Sequence, residues 1–198
     1  MKYLFYPFND GTGLKTLNAL AAGVGGEGGN SVSREVGAIY RSDGTFPAGL
    51  MEAGHDDEVF VIGHPAEGLK VLGDASKNTI DQTEIVNRLR GAGLRPDAHC
   101  KIILYACFSG KGGEDSLAAK VATSLRTNSF ACANNVWGFM HKVSMKTHDG
   151  ALCVKYGKKD WIPYQDLGYV LMNVPPNPTT GQTTNQTPTQ GRNRKNRR

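Results

Sequence analysis

The 198-residue chain has no run approaching the ~20 consecutive apolar residues of a membrane span. Its first residues, "MKYLFYPFND", are too few and too aromatic for a signal peptide. The expectation is a cytoplasmic protein with no transmembrane segment. Cysteine is scarce as well: Cys100, Cys107, Cys132 and Cys153 are spaced unlike any zinc pattern, in a chain long enough to be stable without staples. Free thiols in a reducing compartment and no metal site follow. Nor does any glycine run have GxGxxG spacing behind a strand or a GKS or GKT ending. "GVGGEGGNS" and "SGKGGEDS" therefore read as surface loops rather than phosphate cradles, and no cofactor is required.

Acidic residues are missing from the last eight, "GRNRKNRR", which hold Arg192, Arg194, Lys195, Arg197 and Arg198. These five account for the whole net charge of +5, so residues 1–191 are neutral. The preceding "NVPPNPTTGQTTNQTPTQ" has almost nothing apolar to bury and cannot offset its ordering entropy. Residues 173–198 are expected to be a disordered Pro/Thr/Gln/Asn-rich tail with a basic end. Such an end suits a nucleic acid, an acidic membrane surface or an import receptor, or is a solvated tail without a specific partner.

The 39% apolar content suits one globular domain over residues 1–172. "KYLFYPF" reads as a first strand, "LKTLNALAAG" as a short helix, "REVGAIYRS" (34–42) as a second strand and "EVFVIGH" as the next. Thr79 followed by Gln82 has the form of a capping box, with Ile80, Ile85, Val86 and Leu89 at helical spacing behind it and Gly91, Gly93 and Pro96 as stops. "KIILYA" (101–106) suits a strand buried on both faces, and Leu117, Val121 and Leu125 form the stripe of a second amphipathic helix. The order strand, helix, strand, helix implies a right-handed crossover joining parallel neighbours in an α/β sheet. Residues 130–164 suit a further strand and a β-hairpin with "HDG" (148–150) as its turn.

This topology sets His64 and Cys107 just beyond the carboxyl ends of neighbouring strands, the edge where open α/β sheets bind ligands. A thiolate is the reactive form of cysteine, and an imidazolium beside it favours that form, so the two can serve as nucleophile and acid–base partner. The plainer alternative is a cysteine acting as a small buried hydrophobe and a histidine satisfied in a loop. Trp137, on the strand after the second helix, is either core or the wall of a substrate pocket. His99 and Cys100 start a strand at the far side, while His55, His141 and His148 lie in turns or the hairpin without matching ligands.

"VFVIGH", "ILYACFSG" and "GGEDSLAAKVATSL", in that order and spacing, resemble the caspase-like fold of clan CD cysteine peptidases. That group includes caspases, legumains, gingipains, separases and the self-cleaving protease domains of bacterial toxins. "ACFSG" is similar to the legumain and gingipain cysteine loop, and the wider layout is similar to the toxin and effector branch; the resemblance covers about residues 58–140. It implies a three-layer α/β sandwich with a mostly parallel central sheet and a C-terminal β-hairpin. It also implies a thiol endopeptidase acting on a peptide or protein substrate, possible delivery as a bacterial effector or toxin component without a Sec signal, Cys107 as nucleophile and His64 as the group that protonates the leaving amine.

In that family the oxyanion is held by the N–H of the nucleophile and by that of the glycine after the histidine. Here the following residue is Pro65, which has no N–H. The candidates to take its place are the Ala66 N–H or a side chain, while Ser109 and Gly110 are candidates for shaping the turn or contacting substrate. Other readings of the same crevice are a catalytically impaired domain that binds a peptide or protein, and a deamidase or acyltransferase. The toxin branch is activated by inositol hexakisphosphate on a basic flap. Lys142, Lys146, Lys155, Lys158 and Lys159 crowd the hairpin here, where alternating lysines ordinarily form only a solvated face.

Overall fold

Glu58–Ile62 and Lys101–Tyr105 each begin with one charged residue at the rim and continue with four buried ones, the pattern of strands covered on both faces. In the computed structural model, which describes residues 2–8, 33–34, 49–65, 70–144, 152–156 and 160–164, these two strands lie side by side and parallel. Register pairs run from Glu58 opposite Lys101 to Ile62 opposite Tyr105. Numbered in chain order, the strands are β1 (Lys2–Phe5), β2 (Ser33–Arg34), β3 (Glu58–Ile62), β4 (His64–Pro65), β5 (Leu72–Gly73), β6 (Thr79–Ile80), β7 (Lys101–Tyr105), β8 (Val136–Gly138), β9 (Cys153–Tyr156) and β10 (Asp160–Pro163). The main sheet has the order β2-β1-β3-β7-β8, and every neighbouring pair in it is parallel. Two described helices, α1 (Gln82–Gly91) and α2 (Leu117–Thr127), pack against each other.

Alternation along the strands separates the two faces of this sheet. Gly138 is in register with Leu104 and turns toward Ala118 of α2, so that face carries the helices. Phe60 and Tyr105 point the other way, where their rings meet edge-on with those of Phe139 and Tyr164 at centroid separations of 5.2 to 6.0 Å. Tyr164 directly follows the antiparallel β9–β10 hairpin, which therefore lies over the aromatic face. The mixed α/β architecture and parallel sheet expected from the sequence are present, as is a hairpin near residue 160.

Several boundaries differ from expectation. The first strand spans Lys2–Phe5, but only Ser33–Arg34 is seen of the second, and residues 35–42, the helix expected at 14–23, the first glycine-rich run and the tail from 173 lie outside the described residues. Thr79 is not a cap: Thr79–Ile80 forms β6, and Asp81 caps α1 by accepting the Glu84 N–H at 2.9 Å. Asp-x-x-Glu meets the same requirement as Thr-x-x-Gln, and β6 pairs with β5 up to Ile80, so the helix begins after it. Its C-terminus is a Schellman turn, with Gly93 at φ 95°, Gly93 N–H on Arg90 O and Leu94 N–H on Leu89 O.

The crossover between β3 and α1 also contains a small antiparallel sheet, β4-β5-β6, which two-residue strands leave no periodic pattern to reveal. Helix α2 begins where expected, with Ser116 as its N-cap accepting the Ala119 N–H at 3.1 Å. At the hairpin, Val143 bridges Val154 in an antiparallel sense, so residues 142–144 add a further arm beside β9. The expected "HDG" turn falls between that arm and β9, outside the described residues.

Candidate functional site

His64 and Cys107 each stand two residues beyond one register pair, Ile62 and Tyr105. Neighbouring strands of a sheet run ~4.8 Å apart, so the topology delivers both residues to the same end of the sheet. What happens after each strand end differs. His64 continues into β4, where it pairs with Gly73, and its side chain is exposed. Gly63 makes that turn possible: a Cβ there would lie 2.5 Å from Leu72 Cγ, so β5 crosses close over the backbone.

Beyond Tyr105 the chain breaks into tight turns, with Ala106 N–H on Leu104 O at 2.8 Å, Ser109 N–H on Ala106 O and Lys111 N–H on Phe108 O. Phe108 takes φ 59°, a left-handed value that a bulky residue rarely adopts. The segment after β8 runs alongside this loop. Phe108 N–H donates to His141 O and Gly110 N–H to Phe139 O, both at 3.0 Å, and Phe139 N–H donates to Ser109 Oγ at 2.9 Å. Cys107 Sγ accepts the Val143 N–H at 3.3 Å, while the thiol faces Val143 O at 3.8 Å.

Of the four cysteines, all free, only Cys107 is not buried. Both Cys100 and Cys132 are buried in the core, and interaction with the Cys132 thiol together with burial holds the Cys100 proton on. Among the described residues no acceptor is paired with the Cys107 backbone N–H, although those of 106 and 108–111 are all used. Nor does any hydrogen bond join Cys107 to His64. The strongest fixed point beneath the site is Tyr105, whose buried hydroxyl donates toward Ser144 O (2.8 Å) and Cys153 O (2.9 Å) and accepts the Cys153 N–H at 3.1 Å. Burial raises the phenol above its ordinary pKa and keeps it neutral.

The remaining candidates are distributed differently. Ser109 is buried, and its hydroxyl donates to Leu104 O at 2.7 Å while accepting from Phe139, so it holds the turn. Gly110 lies against Gly138: a Cβ on Gly110 would meet Gly138 C and O at 2.9 Å, and one on Gly138 would meet Gly110 N at 2.7 Å. Trp137 is half-buried, with its indole N–H on Asn135 Oδ1 at 2.6 Å and the Lys101 ammonium 5.9 Å from its ring. Asn135 precedes β8 and Lys101 opens β7, so the ring is engaged at the end of the sheet opposite Cys107. Ala66 and its N–H lie outside the described residues, as do Lys146, Lys158, Lys159 and His148.

Across the mouth, Lys70 ahead of β5 reaches Asp115 ahead of α2 at 3.1 Å, joining the small sheet that carries His64 to the loop that follows Cys107. Three features of the site were not singled out from sequence: the Val143 N–H, the Tyr105 hydroxyl and the Phe108 ring. A tyrosine ending an otherwise apolar strand was the available signal for the second, since a buried hydroxyl needs a partner. Among the described residues no three His, Cys, Asp or Glu side chains gather as metal ligands, and no helix is long and apolar enough to cross a membrane. No family model, no curated protein and no solved structure matches the chain.

Proposed function

We propose that this chain is a thiol-dependent endopeptidase with a caspase-like arrangement, in which Cys107 attacks a peptide carbonyl and His64 protonates the departing amine. The Cys107 thiol gives its proton to His64, and attack by the resulting thiolate forms a carbon–sulfur bond and places negative charge on the carbonyl oxygen. Collapse breaks the carbon–nitrogen bond, with the amine taking the imidazolium proton, and water then hydrolyses the thioester while His64 accepts its proton. One observation carries the reading: a thiol that is not buried lies beside its own backbone N–H, which pairs with no acceptor among the described residues, while the N–H groups of 106 and 108–111 are committed. An N–H of that kind is the donor an oxyanion requires.

The absence of a His64–Cys107 hydrogen bond is compatible with this chemistry, because such contacts are often loose in resting enzymes and tighten around substrate. Pro65 favours a second reading. With no N–H at that position one oxyanion donor is missing, which costs about 10²–10³ in rate where such a loss has been measured. A domain so impaired would bind a peptide in the crevice without cutting it. Incubating wild type and Cys107→Ala with a proteome-derived peptide library, and reading new termini by mass spectrometry, separates the two. Cleavages absent from the variant support the peptidase, and identical digests with retained peptide binding support the binding module.

A further inference from the structure

We infer that Phe108 is a specificity-determining residue, its ring forming an apolar shelf for a Leu, Phe or Met side chain next to the attacked bond; this rests on the peptidase reading above. Three observations converge on it. First, Phe108 is a large apolar side chain that remains 39% exposed beside the half-buried Cys107. Second, its φ of 59° costs a non-glycine residue roughly 1–2 kcal/mol. If the position served only the turn, glycine would remove that cost. Among the described residues the other two non-glycine residues at positive φ, Lys77 and Ser129, are polar and close ordinary turns through bonds to Asp74 O and Arg126 O.

Third, position limits what the ring can reach. Consecutive Cα atoms are 3.8 Å apart and an extended peptide advances ~3.4 Å per residue. A ring one residue from the nucleophile is therefore within reach of the side chains that flank the scissile bond. The main chain of Phe108 is held by its own N–H on His141 O and by Lys111 N–H on its carbonyl, and the Lys111 ammonium stands 5.5 Å from the ring centroid. Among the described residues the other exposed large apolar side chains, Met51 before β3 and Trp161 in β10, are far from Cys107 in sequence.

The test uses two internally quenched octapeptide pools, one with Leu and Phe and one with Ser and Asn at the central positions, on wild type, Phe108→Gly, Phe108→Ser and Phe108→Tyr. Wild type should prefer the apolar pool. Phe108→Gly and Phe108→Ser should raise KM for it by about 10-fold, the usual scale for losing an apolar contact, with the melting temperature of Phe108→Gly unchanged or higher; Phe108→Tyr should restore the preference. Equal KM values in wild type and Phe108→Gly overturn the inference and leave the peptidase standing. If cleavage does not depend on Cys107, the peptidase reading falls. The shelf is then decided by anisotropy of a fluorescein-labelled apolar peptide on Cys107→Ala with and without Phe108→Gly. Weaker binding by the double variant supports the shelf, and equal binding or none overturns it.

Discussion

Val143 donates its backbone N–H to Cys107 Sγ across 3.3 Å, so the thiol is held by the arm that leads into the hairpin and not only by its own strand. The flanking ladder bonds, Ser144 N–H on Cys153 O and Lys155 N–H on Lys142 O, do not use that N–H. Val143→Pro therefore deletes one donor and leaves those bonds in place. Charge developing on sulfur loses a partner worth ~1 kcal/mol, equivalent to about a five-fold slower reaction. Iodoacetamide at near-neutral pH should label Cys107 faster than the three buried cysteines, and both Val143→Pro and His64→Ala should slow it. Unchanged Cys107 labelling in His64→Ala would remove the chemical basis for the dyad.

Tyr105 supplies a test that depends on pH. Its hydroxyl has three main-chain partners on the hairpin side, and Tyr105→Phe leaves those groups buried without it, at a cost of about 1–3 kcal/mol. Burial raises the phenol pKa in the folded state. Below the unfolded value of ~10 both states hold the proton and the contribution is complete. Above it the unfolded chain releases its proton while the folded one retains it, so stability falls as pH rises. Urea unfolding from pH 8 to 11 should show the gap between wild type and Tyr105→Phe narrowing above about pH 10. A constant gap would mean that the phenol titrates alike in both states.

The parallel pair β3–β7 and the two helices were legible because four-residue apolar runs and a 3.6-residue stripe are direct consequences of burial on two faces or one. That is why His64 and Cys107 were found together at one end of the sheet. The β4-β5-β6 sheet was not legible, since strands of two residues have no period, and without it Thr79 looked like a helix cap. The pairing of the 107–110 loop with 139–143 was hidden for another reason. It is made by backbone groups and by Ser109 Oγ, so side-chain patterning carries almost no trace of it. Trp137 was a reasonable wall for a pocket until Asn135 and Lys101 fixed the direction of its ring.

The Gly110–Gly138 contact predicts intolerance at two positions that look unremarkable in sequence. In either substitution to alanine the new Cβ would come within 3 Å of backbone atoms, which cannot rotate away as the end of a side chain can. Overpacking of this kind costs about 1–3 kcal/mol. At roughly 2–4 °C per kcal/mol for a chain of this size, a fall of several degrees in melting temperature is expected for each. Because the contact joins the Cys107 loop to β8, Cys107 alkylation should also change in folded Gly110→Ala. Melting within a degree of wild type for both variants would show that the loop is not clamped there.

Asp81 and Thr79, two residues apart, offer the complementary case, in which the observed cap and the expected one make opposite predictions. Asp81 Oδ1 accepts the Glu84 N–H in an exposed setting, and Glu84 in turn reaches Arg88 Nε at 2.7 Å, so the first turn of α1 depends on Asp81. Asp81→Ala should cost ~1 kcal/mol, the usual loss for an N-cap. Thr79 is exposed on β6 and caps nothing, so Thr79→Ala should fall within about 0.5 kcal/mol of wild type. Paired denaturant titrations check this directly. If Thr79→Ala were the more damaging change, the helix would begin two residues earlier in solution, and β6 would be lost from the small sheet that carries His64.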